Sequence, residues 1–330
     1  MKIAVIGGSG FIGTRLCRRL ALRTDLSFDI VDKARSSAFP QRCRIADVRS
    51  AQALRAVIEP GATLVNLAAE HRDDVQPRQL YDEVNVQGAR KICDVARERA
   101  VPRIIFTSSV AVYGFAAPGT DESGRIAPFN DYGRTKFEAE LVFREWQAEA
   151  SAERSLVIVR PTVVFGERNR GNVYNLLRQI ASGFFVMIGP GDNRKSMAYV
   201  ENVAAFLEHC LGFQPGVHLY NLIDKPDFTM NSLVATVQGL LGRNPRRMLR
   251  IPLPLGYLIG RGFDAAAAIT GRSFPISTIR VRKFTSSTVF SSRAEASGFE
   301  PPFALSEALA RTVRSEFIDS PQAGELFFSE

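Results

Sequence analysis

The stretch DYGRTKFEAE, residues 131–140, sets Tyr132 and Lys136 four apart, so a helix through them carries phenol and ammonium on one face. A phenol ordinarily loses its proton at about pH 10, too late for a base at neutral pH. A cation held beside it favours the phenolate and lowers that value. Such a pair can take the proton from a substrate hydroxyl, and a nearby serine can share that hydrogen bond. FTSSVAVYG, residues 106–114, offers Ser109 for this part, at the end of an apolar run that reads as a buried strand. Alone, the tyrosine–lysine spacing describes a solvated helix face equally well, so its surroundings decide.

The first of those surroundings is IAVIGGSGFIGTRLCRRL, residues 3–20, where Gly7, Gly10 and Gly13 stand between an apolar run and a helical pattern. Glycine there loses more conformational entropy on folding than any other residue, so the positions need a reason. Strand, glycine turn and helix together aim N-terminal amides at a phosphate group. The second strand ends in FDIVDKA, placing Asp32 where a carboxylate accepts hydrogen bonds from adenosine ribose hydroxyls and repels a 2′-phosphate. That favours NAD over NADP, with Lys33 beside it. Asp47 and Val48, in RIADVRS, follow the third strand and are expected to flank adenine.

Positioning these groups takes a particular scaffold. Apolar runs at 3–6, 28–31, 64–67, 104–107 and 156–159 alternate with helical stretches at 52–58, 80–99 and 136–150. That alternation predicts βαβ units and a parallel sheet covered on both faces, an α/β, Rossmann-type doubly wound fold. Beyond Arg160, Pro and Gly become frequent and short strands mix with helices. The expected organisation is a dinucleotide-binding domain over 1–160 and a smaller, partly interleaved C-terminal substrate lobe over 161–330.

Composition is that of an ordinary globular enzyme, 45% hydrophobic and 23% charged. Cys17, Cys43, Cys93 and Cys210 lie far apart with no CxxC pair, which points to reduced thiols in the cytoplasm and to no metal site. A strand directly at the start leaves no room for a signal peptide. The net charge of +8 is concentrated: between residues 243 and 283 stand nine bases and a single acid, Asp264, so the remainder is neutral. Within that segment, residues 251–271 are apolar but interrupted by Pro252, Pro254, Arg261 and Asp264, which excludes a clean membrane span. Two readings stay open: an interfacial element docking on anionic lipid, or a cover packed on the substrate lobe with its arginines in solvent. No aromatic–basic module accompanies the charge, so nucleic acid is not expected as a partner.

GGSGFIG (7–13), Asp32, DV (47–48), NLAAEH (66–71), NVQG (85–88), TSS (107–109), YGRTK (132–136) and RPTVVFG (160–166) together resemble the extended short-chain dehydrogenase/reductases, and among them the NAD-dependent sugar epimerases. The resemblance implies that Ser109, Tyr132 and Lys136 form the catalytic set. It also implies that Phe11 and Ile12 meet the pyrophosphate, and that Leu67, Ala68 and Ala69 line the cofactor. Asn85 is implied to fix the loop over it, with Thr162 near the nicotinamide, and the assembly is implied to be a homodimer. Sugar 4,6-dehydratases of this group resemble one another in having Asp-Glu after the strand-end Ser/Thr. Val110 and Ala111 stand there and transfer no protons, which argues against elimination of water.

AAEHRDDV (68–75), FGERNRGNVYNLL (165–177), NRKSMAYVENV (193–203) and PISTIRVRKF (275–284) resemble the branch of 4-epimerases acting on N-acetylglucosamine carried by undecaprenyl diphosphate, in O-antigen assembly. This implies a lipid-linked sugar diphosphate as substrate and a peripheral place on the cytoplasmic face of the inner membrane, through 243–283. The substrate-contact candidates are Glu70, His71, Asn172, Arg194, Arg280 and Arg282, besides Ser109; guanidinium forks suit phosphate oxygens. A UDP-sugar 4-epimerase, a 4-keto nucleotide-sugar reductase and a non-catalytic NAD-binding protein are the alternatives.

Overall fold

The computed structural model describes residues 1–72, 75–243, 249–270, 277–319 and 325–328. In chain order the first half runs β1 (Lys2–Ile6), α1 (Phe11–Leu20), β2 (Ser27–Asp32), β3 (Cys43–Ile45), α2 (Ala51–Val57) and β4 (Thr63–Asn66). A short α3 (Gln79–Tyr81) passes through a π turn at Asp82–Gln87 into α4 (Gly88–Glu98), followed by β5 (Arg103–Thr107), α5 (Asp131–Ala148) and β6 (Ser155–Pro161). Next come β7 (Val163–Phe165), α6 (Asn172–Ser182), β8 (Val186–Ile188), β9 (Arg194–Tyr199), α7 (Val200–His209), β10 (Gly216–Leu222) and β11 (Asp224–Thr229). The chain continues through α8 (Met230–Leu240), β12 (Leu249–Ile251), α9 (Leu253–Thr270), α10 (Thr278–Thr285) and α11 (Leu305–Phe317).

Seven strands form one parallel sheet in the order β10-β6-β5-β4-β1-β2-β3. Side chains alternate across it. Ala4, Ile6, Leu64, Ile104 and Phe106 pack against α2, α4 and α5 on one face, while Ile3, Val5, Val65, Ile105 and Val157 pack against α1 and α7 on the other. This two-sided burial is why the strands read as continuous apolar runs. The order reverses between β4 and β1, and a crevice opens there outside the carboxyl ends of the strands, where ligands settle in such sheets.

The two lobes share the chain by turns. Residues 216–222 return as β10 to pair with β6, and α7 returns to cover α1. The second lobe is built on a three-stranded sheet, β11-β9-β7, a β8–β12 pair, and α6, α8 and α11 around a core of Leu177, Met187, Leu233, Val234 and Leu309. Residues 246, 247 and 272, part of the basic segment, and 73–74 and 275–276, part of two of the sequence strings, lie outside the described residues. All four cysteines carry free thiols. Among the described residues no helix is long and apolar enough to cross a membrane, and no cluster could hold a metal ion.

Candidate active site

A cavity of about 660 Å³ runs along the carboxyl edge of the sheet and under the second lobe. The glycine turn forms one end. Gly7 has φ +78°, and a Cβ there would stand 2.7 Å from the Ala68 amide nitrogen. A Cβ on Gly13 would stand 2.5 Å from the Gly8 Cα, so helix α1 packs on the turn only through glycine. Gly10 is different: a Cβ would meet only the Gly7 carbonyl oxygen, at 3.4 Å, and otherwise faces the cavity. Helix α1 has no side-chain cap at Gly10, which leaves its first amides for an anion.

Asp32 lines the same end, its carboxylate accepting from the Ser9 amide at 3.0 Å and the Ala34 amide at 3.1 Å. It therefore holds the glycine turn as well as facing the cavity. Lys33, Asp47 and Val48 complete this end. Hydrogen bonds from Arg49 hold the Asp47 carboxyl below the usual carboxylate range, and Arg49, which the sequence reading did not single out, also lines the wall. Leu67, Ala68, Ala69, Phe11, Ile12 and Thr162 line the middle. Thr107 Oγ1 is buried there without a hydrogen-bond partner, an orphan that a bound group can satisfy. Open helix amides, a glycine cradle, a carboxylate at the end of β2 and this orphan fit a dinucleotide.

Asn85 does not line the cavity. From the π turn its side chain accepts from the Glu70 amide at 2.8 Å and donates to the Glu70 carbonyl and to Thr135 Oγ1, each at 3.0 Å. It ties the loop after β4 to α5 and so sets where Ala69 and His71 face.

Ser109, Tyr132 and Lys136 all line the far end. Asn130 caps α5, its side chain accepting from the Gly133 amide at 3.0 Å, and so begins the helix just before the tyrosine. Burial pushes the Tyr132 phenol up, and the Ser109 side chain pulls it back. Burial draws Lys136 down to about 7, opposed by Glu140 one turn along α5, and its Nζ lies 4.3 Å from the centroid of the Phe106 ring. The spacing alone predicts that Lys136 acidifies the phenol. Burial opposes both the phenolate and the ammonium here, so that effect depends on Lys136 keeping its proton. Val110 and Ala111, the non-ionising pair, line the cavity beside Ser109.

The substrate candidates separate. His71 and Asn172 line the cavity. Loss of hydration holds His71 below its usual value, with Lys136 and Arg72 adding to the shift and Glu70 opposing it. Glu70 stands outside the wall, its carboxylate 3.7 Å from Arg72. Arg194 is exposed, its amide donating to Ser287 Oγ at 3.1 Å, and Arg280 is exposed too. Arg282 reaches only the rim, its guanidinium 4.2 Å from the Phe115 ring centroid. The cation that lines the cavity from α10 is Lys283. Lys195 Nζ donates to the Lys283 and Ser286 carbonyls at 2.8 and 2.6 Å, and Asn193 donates to the Phe284 carbonyl at 2.8 Å, so β9 clamps the end of α10. The helical phase of α10 decides which base faces inward, and the sequence string carries no sign of it.

Residues 3–222 match the family model described as the NAD dependent epimerase/dehydratase family. The chain is 47% identical over 331 residues, covering 100% of itself and 99% of the relative, to the N-acetyl-alpha-D-glucosaminyl-diphospho-ditrans,octacis-undecaprenol 4-epimerase of Escherichia coli O157:H7. It is 27% identical to the UDP-glucose 4-epimerase of Vibrio cholerae, over 95% of both chains. Among solved structures, MoeE5 in complex with UDP-glucose and NAD superposes with a TM-score of 0.74 at 22% identity, covering 95% of this chain and 98% of the other. That likeness is one of fold.

Proposed function

This chain belongs to the NAD dependent epimerase/dehydratase family, and from that premise we propose that it inverts C4 of N-acetylglucosamine carried on undecaprenyl diphosphate. The product is the N-acetylgalactosamine form, for O-antigen assembly. The observation that carries this reading is full-length identity of 47% to a relative whose name states that activity. The cavity wall holding Ser109, Tyr132 and Lys136 supports it.

Gly7, Gly10, Phe11, Ile12, Gly13 and Asp32 would hold NAD, which when bound supplies a reversible acceptor for the C4 hydride. The chain's own residues do the rest. Tyr132, as phenolate, takes the proton from the C4 hydroxyl while Ser109 shares that hydrogen bond. Lys136 supplies the positive charge that favours the phenolate. The 4-keto sugar turns about its bond to the diphosphate, and Tyr132 returns the proton once the opposite face is presented. Hydride and proton both come back, so no reductant is consumed. Lys283 and Asn172, at the start of α6, would meet the diphosphate, a reading supported by their lining the cavity. Neutral His71 faces the sugar as a hydrogen-bonding group rather than a charge.

Incubating the protein separately with GlcNAc-diphospho-undecaprenol and with UDP-GlcNAc, then analysing the sugars, tests the substrate. Conversion of the lipid-linked sugar alone is expected; turnover of UDP-GlcNAc alone sinks the lipid-linked reading, and net consumption of NADH indicates a reductase. Replacing Tyr132→Phe is expected to lower kcat by about 10²–10⁴-fold with NAD still bound.

The reading includes a membrane contact. Helix α9 packs on α10 and β8 through Gly256 and Gly260, where a Cβ would come within 2.6 Å of Ile188 and 3.0 Å of the Thr278 amide. Its leucines face outward, Leu255 at 46% and Leu258 at 66% exposure, and Arg261 on the same helix and Arg280 and Arg282 on α10 are exposed as well. Exposed leucines within a basic segment suit an anionic bilayer, and α10 links α9 to the cavity. A homodimer through two helices of each subunit, α5 among them, completes the proposal; a monomer in sedimentation equilibrium at working concentration overturns it.

A further inference from the structure

Beneath the cavity floor lies a buried polar chain that the reaction above does not use. Glu140 is 0% exposed, Arg160 3% and Lys136 2%. Arg160 donates from Nε and Nη2 to the two Glu140 oxygens at 2.8 and 2.5 Å, a bidentate pair. Ser108 Oγ donates to Glu140 Oε1 at 2.5 Å. The remaining Arg160 nitrogen donates to the Tyr113 hydroxyl at 2.7 Å, and that hydroxyl donates to Asn221 Oδ1 at 2.8 Å. The chain thus joins α5, β5, β6 and β10 directly under the strand end that carries Thr107 and Ser109.

A buried ion pair is weak evidence for stability, since apolar residues of like volume often serve as well. Its place suggests another task. Glu140 follows Lys136 by one helical turn, and Lys136 has little else to keep it charged. The groups around Lys136 are Tyr132 and Glu140, one turn before and after it on α5, His71 from the loop after β4, and the Phe106 ring on β5; Arg160 on β6 pairs with Glu140. His71 is neutral or repels. Only Glu140 among these is a carboxylate.

We propose that Glu140 is a positioning residue for the reaction: held by Arg160 and Ser108, it keeps Lys136 protonated and so keeps Tyr132 able to act as base. Arg160 fixes the carboxylate in one orientation through its bidentate pair. Ser108 couples that orientation to the strand end bearing Ser109. The inference rests on the Tyr132–Lys136 assignment made above.

The test is the pH dependence of kcat on GlcNAc-diphospho-undecaprenol for Glu140→Gln, for the double variant Glu140→Gln/Arg160→Gln, and for Glu140→Asp. The double variant leaves no buried charge unmatched, so it guards against misfolding of the single one. NAD binding and melting temperature verify that each variant is folded. In both Gln variants the alkaline limb, where Lys136 loses its proton, is expected at least one pH unit lower than in the parent, about a tenfold loss at pH 9 beyond any uniform loss. Glu140→Asp keeps the parental limb. A Gln variant that binds NAD and whose profile superposes on the parent after scaling overturns the proposal, as does failure of both Gln variants to fold, since either outcome makes the pair structural. Full turnover by Tyr132→Phe sinks the parent assignment instead, whatever the limb does.

Discussion

Lys136 combines two roles that oppose each other. The proposed reaction needs its charge, and its burial beside Phe106 disfavours that charge, drawing it from 10.5 to about 7. The unfolded chain therefore binds the proton more tightly, and stability rises with pH through the interval between about 7 and 10.5. Replacing Lys136→Met removes the penalty while Glu140 keeps Arg160 as partner. The NAD-free variant is expected to melt above the parent at pH 6, by a margin that shrinks as pH rises toward 10, with turnover lost throughout. A variant melting lower at pH 6, read by calorimetry, contradicts this. The type and spacing of Tyr132, Lys136 and Ser109 were legible in the sequence, because helical spacing is local. The balance between burial and charge was not, because Phe106 and Arg160 arrive from other strands.

At the scale of elements, the turn between β1 and α1 separates two uses of glycine. Gly13 lies against backbone, where a methyl would stand 2.5 Å from the Gly8 Cα, whereas at Gly10 it would occupy the cavity. Gly13→Ala is accordingly expected to destabilise by about 1–3 kcal/mol, as overpacking does. Gly10→Ala is expected to leave the melting temperature near that of the parent and to weaken NAD binding at least tenfold. Titration of NAD fluorescence quenching beside a thermal melt distinguishes the two; equal losses of stability would show both glycines to be packing devices. The glycine motif, Asp32 and the strand-end loops announce themselves by pattern, and all face the cavity. Lys283 does not, since its aim depends on Lys195 and Asn193 clamping α10 from almost ninety residues away.

For the whole molecule, the proposed membrane contact has the basic segment and the exposed leucines of α9 acting together. Flotation with vesicles rich in anionic lipid is expected to carry the protein upward at about 0.1 M salt. Binding should weaken severalfold toward about 1 M, where screening falls from about 10 to 3 Å. Leu255→Ser with Leu258→Ser is expected to abolish flotation. Equal flotation with neutral and anionic vesicles at every salt would remove charge from the account. The parallel sheet was readable from its alternating segments, and the lobe's packing less so, because short strands such as β8 and β12 gain their identity from partners distant in the chain.

The return of residues 216–222 to the flank of β6 has a further consequence. A fragment ending near residue 160 would leave that strand as an open, apolar border, inviting association with copies of itself. The coenzyme half is thus no detachable module: a recombinant swap of lobes between relatives would have to exchange threads at several crossings, and evolution can vary the sugar-facing part only by editing it in place.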